Sequence, residues 1–290
     1  MTDATARAGL WYMAQSVFWF AVMSLLVKIA GRSMPTMQVV FARACVTLLL
    51  SSLLLWRARL YPVGRRPKLL LLRGLFGSSA LICFYLAVVH LPLAEATVLQ
   101  QTSQISTALL AAWVLRERLE LRVLLALLTC LCGVALIAEP SWLTGAEIAG
   151  GLDWRYVLVG FGGSFLSACA YVTVRTLGRT EDPNVVVFWF PVVTVTLSAP
   201  FAVAQWTWPD ARGWALLVAI GVVTQFGQMA MTRGFARAPA AKAAMVNYLQ
   251  IVVAAVFGIV FFDTWPDGWS LAGILVIVAS LFLSLRPRAT

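Results

Sequence analysis

Residues 90–101 read HLPLAEATVLQQ, and 147 positions further on residues 237–248 read RAPAAKAAMVNY. Each stretch opens on a basic or imidazole side chain, places a proline two residues later, and closes on a polar pair, Gln100-Gln101 and Asn247-Tyr248. At the same offset Lys28-Ile29-Ala30-Gly31 meets Arg175-Thr176-Leu177-Gly178, and Gly74 meets Gly221. The chain therefore contains an internal repeat. Glu95 of the first copy aligns with Lys242 of the second, so the charge changes sign between copies.

Composition says what is repeated. Of 290 residues, 61% are hydrophobic and 12% are charged, against about 45–50% and about 25% in soluble domains. A water-soluble enzyme is excluded. A membrane helix takes about 20 residues, or about 29 with its connection, so the length fits roughly ten spans. Strands alternating between lipid and lumen are missing, which disfavours a barrel. Breaks at charge, Pro and Gly place the spans at 10–30, 36–56, 69–89, 94–114, 121–138, 156–177, 183–204, 213–233, 240–261 and 268–285. Each copy holds five, an odd number, so the second copy enters the membrane inverted. Inverted repeats mark secondary transporters, whose substrate site lies near the bilayer midplane.

The expected fold is an all-α integral membrane protein: ten transmembrane helices forming two five-helix inverted-topology repeats around a central cavity. The first repeat covers 1–140, an external linker 141–155 (with Pro140, Gly145, Gly150 and Gly151 nearby), and the second repeat 156–290. The apolar stretch near Gly9 reads as the first span rather than a cleaved signal.

Charge supplies the orientation. With the N-terminus inside, 17 of the 22 Lys and Arg fall on the inner side, Arg73, Arg175, Arg286 and Arg288 among them. Lys28, Arg32, Arg155 and Arg212 fall outside, and Arg43 lies within a span. Inner loops collect basic residues, so both termini are expected in the cytoplasm. The net charge of +10 is accordingly topogenic; no basic run interleaves with stacking aromatics, as a nucleic-acid groove requires. Acidic Glu139, Glu147, Asp153, Asp210, Asp263 and Asp267 gather on the outer side, and most tryptophans fall at the expected interfaces.

Five cysteines sit in apolar stretches and the one histidine is His90, so no metal or haem site is expected. Gly160-Phe161-Gly162-Gly163 lacks the Gly-Lys-Ser/Thr of a phosphate loop. No cofactor is expected. The partners are a small-molecule substrate and the lipid bilayer, not nucleic acid, with a homodimer left open.

Polar residues inside hydrocarbon are costly and normally face a bundle interior or a wet cavity. On span 8, Gly221, Gln225, Gln228 and Thr232 share one helical face, and their repeat partners on span 3 are Gly74, Ser78, Leu81 and Tyr85. Span 4 carries Gln100, Ser103, Gln104 and Thr107; span 9 carries Asn247 and Gln250; span 6 adds Tyr171. These residues either line a substrate cavity or join helices by hydrogen bonds. Arg43 is a candidate partner for a substrate carboxylate, or else pairs with a local polar group. His90 and Glu95 are candidates for a proton relay, or else residues of an exposed turn. No Asp or Glu occupies the middle of a span, which points to facilitated diffusion or exchange.

Arg73-Gly74, Tyr85-Leu86-Ala87, Leu91-Pro92-Leu93-Ala94-Glu95-Ala96 and Leu115-Arg116-Glu117-Arg118-Leu119 complete the reading. With the five-plus-five repeat, the chain resembles the drug/metabolite transporter superfamily, in its EamA branch, and within that branch the aromatic-amino-acid exporters. The resemblance implies a basket of helices with a cavity lined by spans 1, 3, 4, 6, 8 and 9. It also implies export of amino acids or similar small metabolites across a bacterial inner membrane; the two inverted halves are expected to rock about the cavity in alternating access. Amides would meet polar substrate groups, and Tyr85 and Tyr171 an apolar or aromatic side chain.

Two departures bear on the substrate rather than the fold. The Gln104 and Gln250 regions stand where that family often has mid-span proline, and Asp263-Thr264 stands opposite the Glu117 element. Multidrug or nucleoside-type efflux remains an alternative within the superfamily. A membrane enzyme is disfavoured by the lone histidine and scattered carboxylates. An inert structural subunit is disfavoured by the duplicated polar faces.

Overall fold

The computed structural model describes residues 3–145, 153–263 and 265–285. Glu147, Gly150, Gly151, Arg286 and Arg288, used above for the linker and the orientation, lie outside them. Within hydrocarbon every backbone N–H and C=O must be satisfied inside the chain, which leaves helices as the way to span. The described residues form helices and no strand: α1 (Asp3–Ala30), α2 (Thr36–Arg57), α3 (Pro67–His90), α4 (Leu93–Val114), α5 (Leu121–Ala138) and the one-turn α6 (Ser141–Thr144). Then follow α7 (Trp154–Leu177), α8 (Pro183–Ala204), α9 (Ala211–Arg237), α10 (Ala240–Val246), α11 (Leu249–Phe262) and α12 (Gly268–Leu285).

Proline sets many helix starts, because its missing N–H costs nothing there. Pro35, Pro92 and Pro239 precede α2, α4 and α10, and Pro67 and Pro183 begin α3 and α8. Left-handed residues stop others: Arg116 just beyond α4 and Asp263 just beyond α11 both have φ of 52°. These two positions are repeat equivalents, so the duplication reaches down to a backbone conformation.

Counting α10 and α11 as one span, eight of the helices are long and apolar enough to cross a membrane; α12 is a shorter apolar helix. With 22 residues α4 has the length, but its Gln, Ser and Thr content keeps it out of the apolar set. The expected single helix over 240–261 is corrected to a broken one. Asn247 and Tyr248 keep right-handed dihedrals, yet the N–H groups of Asn247, Tyr248, Gln250 and Ile251 bond to carbonyls three residues back instead of four. This tightened turn separates α10 from α11.

The chain forms two compact units that cut across the two sequence repeats: Met1–Ser78 with Thr173–Ala238, and Ser79–Val172 with Pro239–Thr290. The boundaries fall inside α3 and α7.

In the first unit α1 lies along α9, and α2 packs on α8 and α9. A Cβ on Gly234 would come within 2.5 Å of Met13 Sδ, so the close approach of α1 depends on that glycine. In the second unit α5 pairs with α12, where a Cβ on Gly273 would stand 2.5 Å from the Gly133 carbonyl. Its core includes Leu127, Val134, Met245, Tyr248 and Ile277, all fully buried. Leu49, Trp113, Leu125 and Leu275 are among the apolar side chains exposed in the two units, which is the surface a bilayer covers.

Candidate substrate-binding seams

In the first unit the polar residues of α2, α3, α8 and α9 meet one another. Thr47 Oγ1 donates to the Arg43 carbonyl at 2.6 Å and reaches the Gly221 carbonyl at 3.5 Å. One turn further along, Ser51 Oγ donates to Gln225 Oε1 at 3.1 Å. Later residues of α2 thus meet later residues of α9, so these helices run in the same direction. Arg73 Nη2, from the start of α3, donates to Gln228 Oε1 at 3.3 Å, and its guanidinium lies 4.9 Å from the centre of the Phe190 ring. Ser78 Oγ and Thr194 Oγ1 are 2.8 Å apart, joining α3 to α8.

Burial is close to complete along this seam. Arg43 is 8% exposed, Arg73 2%, Gln225 5% and Gln228 8%. Gln225 Nε2 and Thr232 Oγ1 are buried without a hydrogen-bond partner among the described residues. Arg43 Nη1 lies 3.3 Å from Met23 Sδ, its one hydrogen-bonding contact there.

Arg73 and Arg175, counted with the inner-side charges and falling inside spans 3 and 6, are buried side chains of α3 and α7. Arg175 donates to the carbonyls of Phe235 and Ala236 at 3.2 and 2.7 Å, the last turn of α9. Helix-terminal charge was the only signal available in the sequence, and it reads equally well as a solvated end.

The second unit has its own seam, between α4 and the α10–α11 break. Asn247 Nδ2 donates to Gln104 Oε1 at 3.3 Å, Gln104 Nε2 to Gln101 Oε1 at 3.3 Å, and Tyr248 Oη to the Gln101 carbonyl at 3.2 Å. Gln101 and Tyr248 therefore belong with the candidates, although only Gln100, Gln104, Asn247 and Gln250 were singled out from sequence. Their signal was adjacency to those residues at the repeat-aligned position. Gln100, Gln250, Tyr85 and Tyr171 are half-buried.

His90 and Glu95 are not joined to each other. The exposed His90 ring stacks on Tyr156 at 3.7 Å and holds the Leu86 carbonyl through Nδ1 at 3.0 Å. Glu95 is 5% exposed; its Oε1 accepts the Ser141 N–H at 2.7 Å, while Oε2 has no partner among the described residues. Glu117, of the Leu-Arg-Glu element, accepts the Ala240 N–H at 2.9 Å and so holds the start of α10.

Beyond the helix ends, Glu139 and Asp267 share a hydrogen bond that raises the Glu139 carboxyl above its ordinary value. Asp267 is lowered, chiefly by the Ser270 backbone N–H that it caps. No metal-holding group of His, Cys, Asp or Glu occurs among the described residues.

A model of the EamA-like transporter family matches residues 7–138 and again residues 154–286. The chain is 32% identical over 284 residues to the pseudopaline exporter CntI of Pseudomonas aeruginosa, covering 97% of this chain and 98% of the relative. It is 29% identical over 283 residues to solute carrier family 35 member G1 of Mus musculus, covering 94% of this chain and 76% of that protein. One crystal structure shares the fold with a TM-score of 0.81 at 18% identity, over 98% of this chain and 97% of the other.

Proposed function

Because the chain belongs to the EamA-like transporter family and is a multi-pass membrane transporter rather than an enzyme, we propose that it exports neutral or aromatic amino acids by alternating access. The observation that carries this reading is the pair of buried amide seams in otherwise apolar units. Neutral amides bind a zwitterion without a full charge to desolvate, and an inert bundle has no need of amides whose donors are left open. Gln225, Gln228 and Ser78 act in the first unit. Gln100, Gln104, Asn247 and Gln250 act in the second, with Tyr85 and Tyr171 meeting the apolar side chain. Arg43 faces the substrate carboxylate. His90 and Glu95 serve proton movement only through separate contacts, since they share no hydrogen bond.

Export is supported by the similarity to a bacterial exporter over nearly the full length of both chains. The protein then belongs in a bacterial inner membrane with both termini cytoplasmic. That similarity also favours pseudopaline as a second cargo. The test is counterflow in proteoliposomes with labelled Phe, Trp, Thr and Met, with pseudopaline as a parallel arm, each run with and without a pH gradient. Uptake above that of empty vesicles for at least one amino acid is expected. Uptake confined to pseudopaline replaces the amino-acid reading.

A further inference from the structure

We propose that the α2–α9 seam is a carboxylate-binding subsite, in which Gln225 Nε2 donates to the anion and Arg43 and Arg73 supply positive field from its two ends. The proposal rests on the transport reading and narrows it to solutes that carry a carboxylate. Ser51 fixes the Gln225 amide by donating to Oε1, which leaves the NH₂ group, buried and unpartnered, as the donor. Gly221, whose carbonyl shares Thr47 Oγ1 with the Arg43 carbonyl, and Gln228, bonded to Arg73, are seven residues apart on α9, or about 10 Å along the axis. Gln225 lies between them.

The described acidic side chains of this unit are engaged at helix starts. Glu181 accepts the N–H groups of Arg65 and Arg66, Asp182 accepts that of Asn184, and Asp210 that of Gly213. None is buried along the seam. Helix adhesion needs only hydroxyls and amides, whereas guanidinium groups within a membrane bundle are expensive to keep. An anionic ligand at Gln225 is attracted by both guanidinium groups, and low surrounding polarity strengthens that attraction. The single neutral donor between two separated cations suits a planar carboxylate better than a phosphate, which calls for several converging donors.

The experiment measures binding to the full chain in lipid nanodiscs by calorimetry with three probes. N-acetyl-L-phenylalanine carries a carboxylate alone, L-phenylalaninamide an ammonium alone, and L-phenylalanine both. Both carboxylates are expected to bind at least tenfold more tightly than the amide. Gln225→Glu, which keeps the size and repels anions, is expected to weaken both carboxylates at least tenfold and leave the amide unchanged. Arg43→Gln provides a second variant with the same expectation if Gln225→Glu does not fold. Equal binding of the amide and the carboxylates, no carboxylate binding, or unchanged carboxylate binding in the folded variant overturns the subsite. L-phenylalanine counterflow at the wild-type rate in Gln225→Glu also counts against it, and leaves amino-acid transport standing. A wild type that prefers N-acetyl-L-phenylalanine yet moves no amino acid keeps the subsite and removes the amino-acid reading.

Discussion

Lys28 and Arg175 are repeat equivalents, yet Lys28 is exposed and Arg175 is 4% exposed with two carbonyls in its grip. A charged donor on helix-terminal carbonyls contributes about 1.5–3 kcal/mol. Arg175→Leu therefore lowers thermal stability in detergent by about that amount, whereas Lys28→Leu stays within about 0.5 kcal/mol. Comparing the two midpoints checks the difference; equal losses would mean that the α9 carbonyls do not depend on Arg175. The same contrast marks a limit of the sequence. A basic residue near a helix end has the same local pattern whether it meets water or a neighbour's carbonyls, so the buried state of Arg73 and Arg175 was not legible. The amide face of α9 was legible, because residues at i, i+4, i+7 and i+11 share a face whatever they touch.

At the level of elements, the limits of α5, α8 and α12 coincide with the spans read from charge, Pro and Gly breaks. The break between α10 and α11 escaped, since it contains neither Gly nor Pro and keeps helical dihedrals; only a slip in hydrogen bonding makes it. Tyr248 and Asn247, anchored to α4, mark where that slip occurs.

The ends of α5 and α12 supply a pH prediction. Protonated Glu139 is favoured in the folded state, so its contribution is full at low pH and fades as pH rises through its raised value. Asp267 contributes above its ordinary value and fades only as pH falls through its lowered one. The pair is thus held best in mildly acidic solution. Glu139→Gln, which keeps a donor without a titrating proton, raises the unfolding temperature at pH 7. At pH 5 the change is smaller. An equal rise at both pH values would show that the shared proton contributes nothing.

For the whole molecule, orientation follows from where Lys and Arg fall. On a cysteine-free background, Arg32→Cys is expected to react with an impermeant maleimide from outside intact cells, and Arg179→Cys only after permeabilisation. Both positions are exposed in the structure. Labelling of both from one side would refute an inverted second repeat.

The sequence by itself determined the membrane class, the helices, the duplication and its inversion, because each depends on composition, period or parity along one chain. Tertiary structure alone decided that the compact units cut across the two repeats, that Arg73 and Arg175 lie buried, and that Gln225 keeps an open donor. Those features depend on pairings between residues 60 to 174 positions apart, which no local pattern encodes.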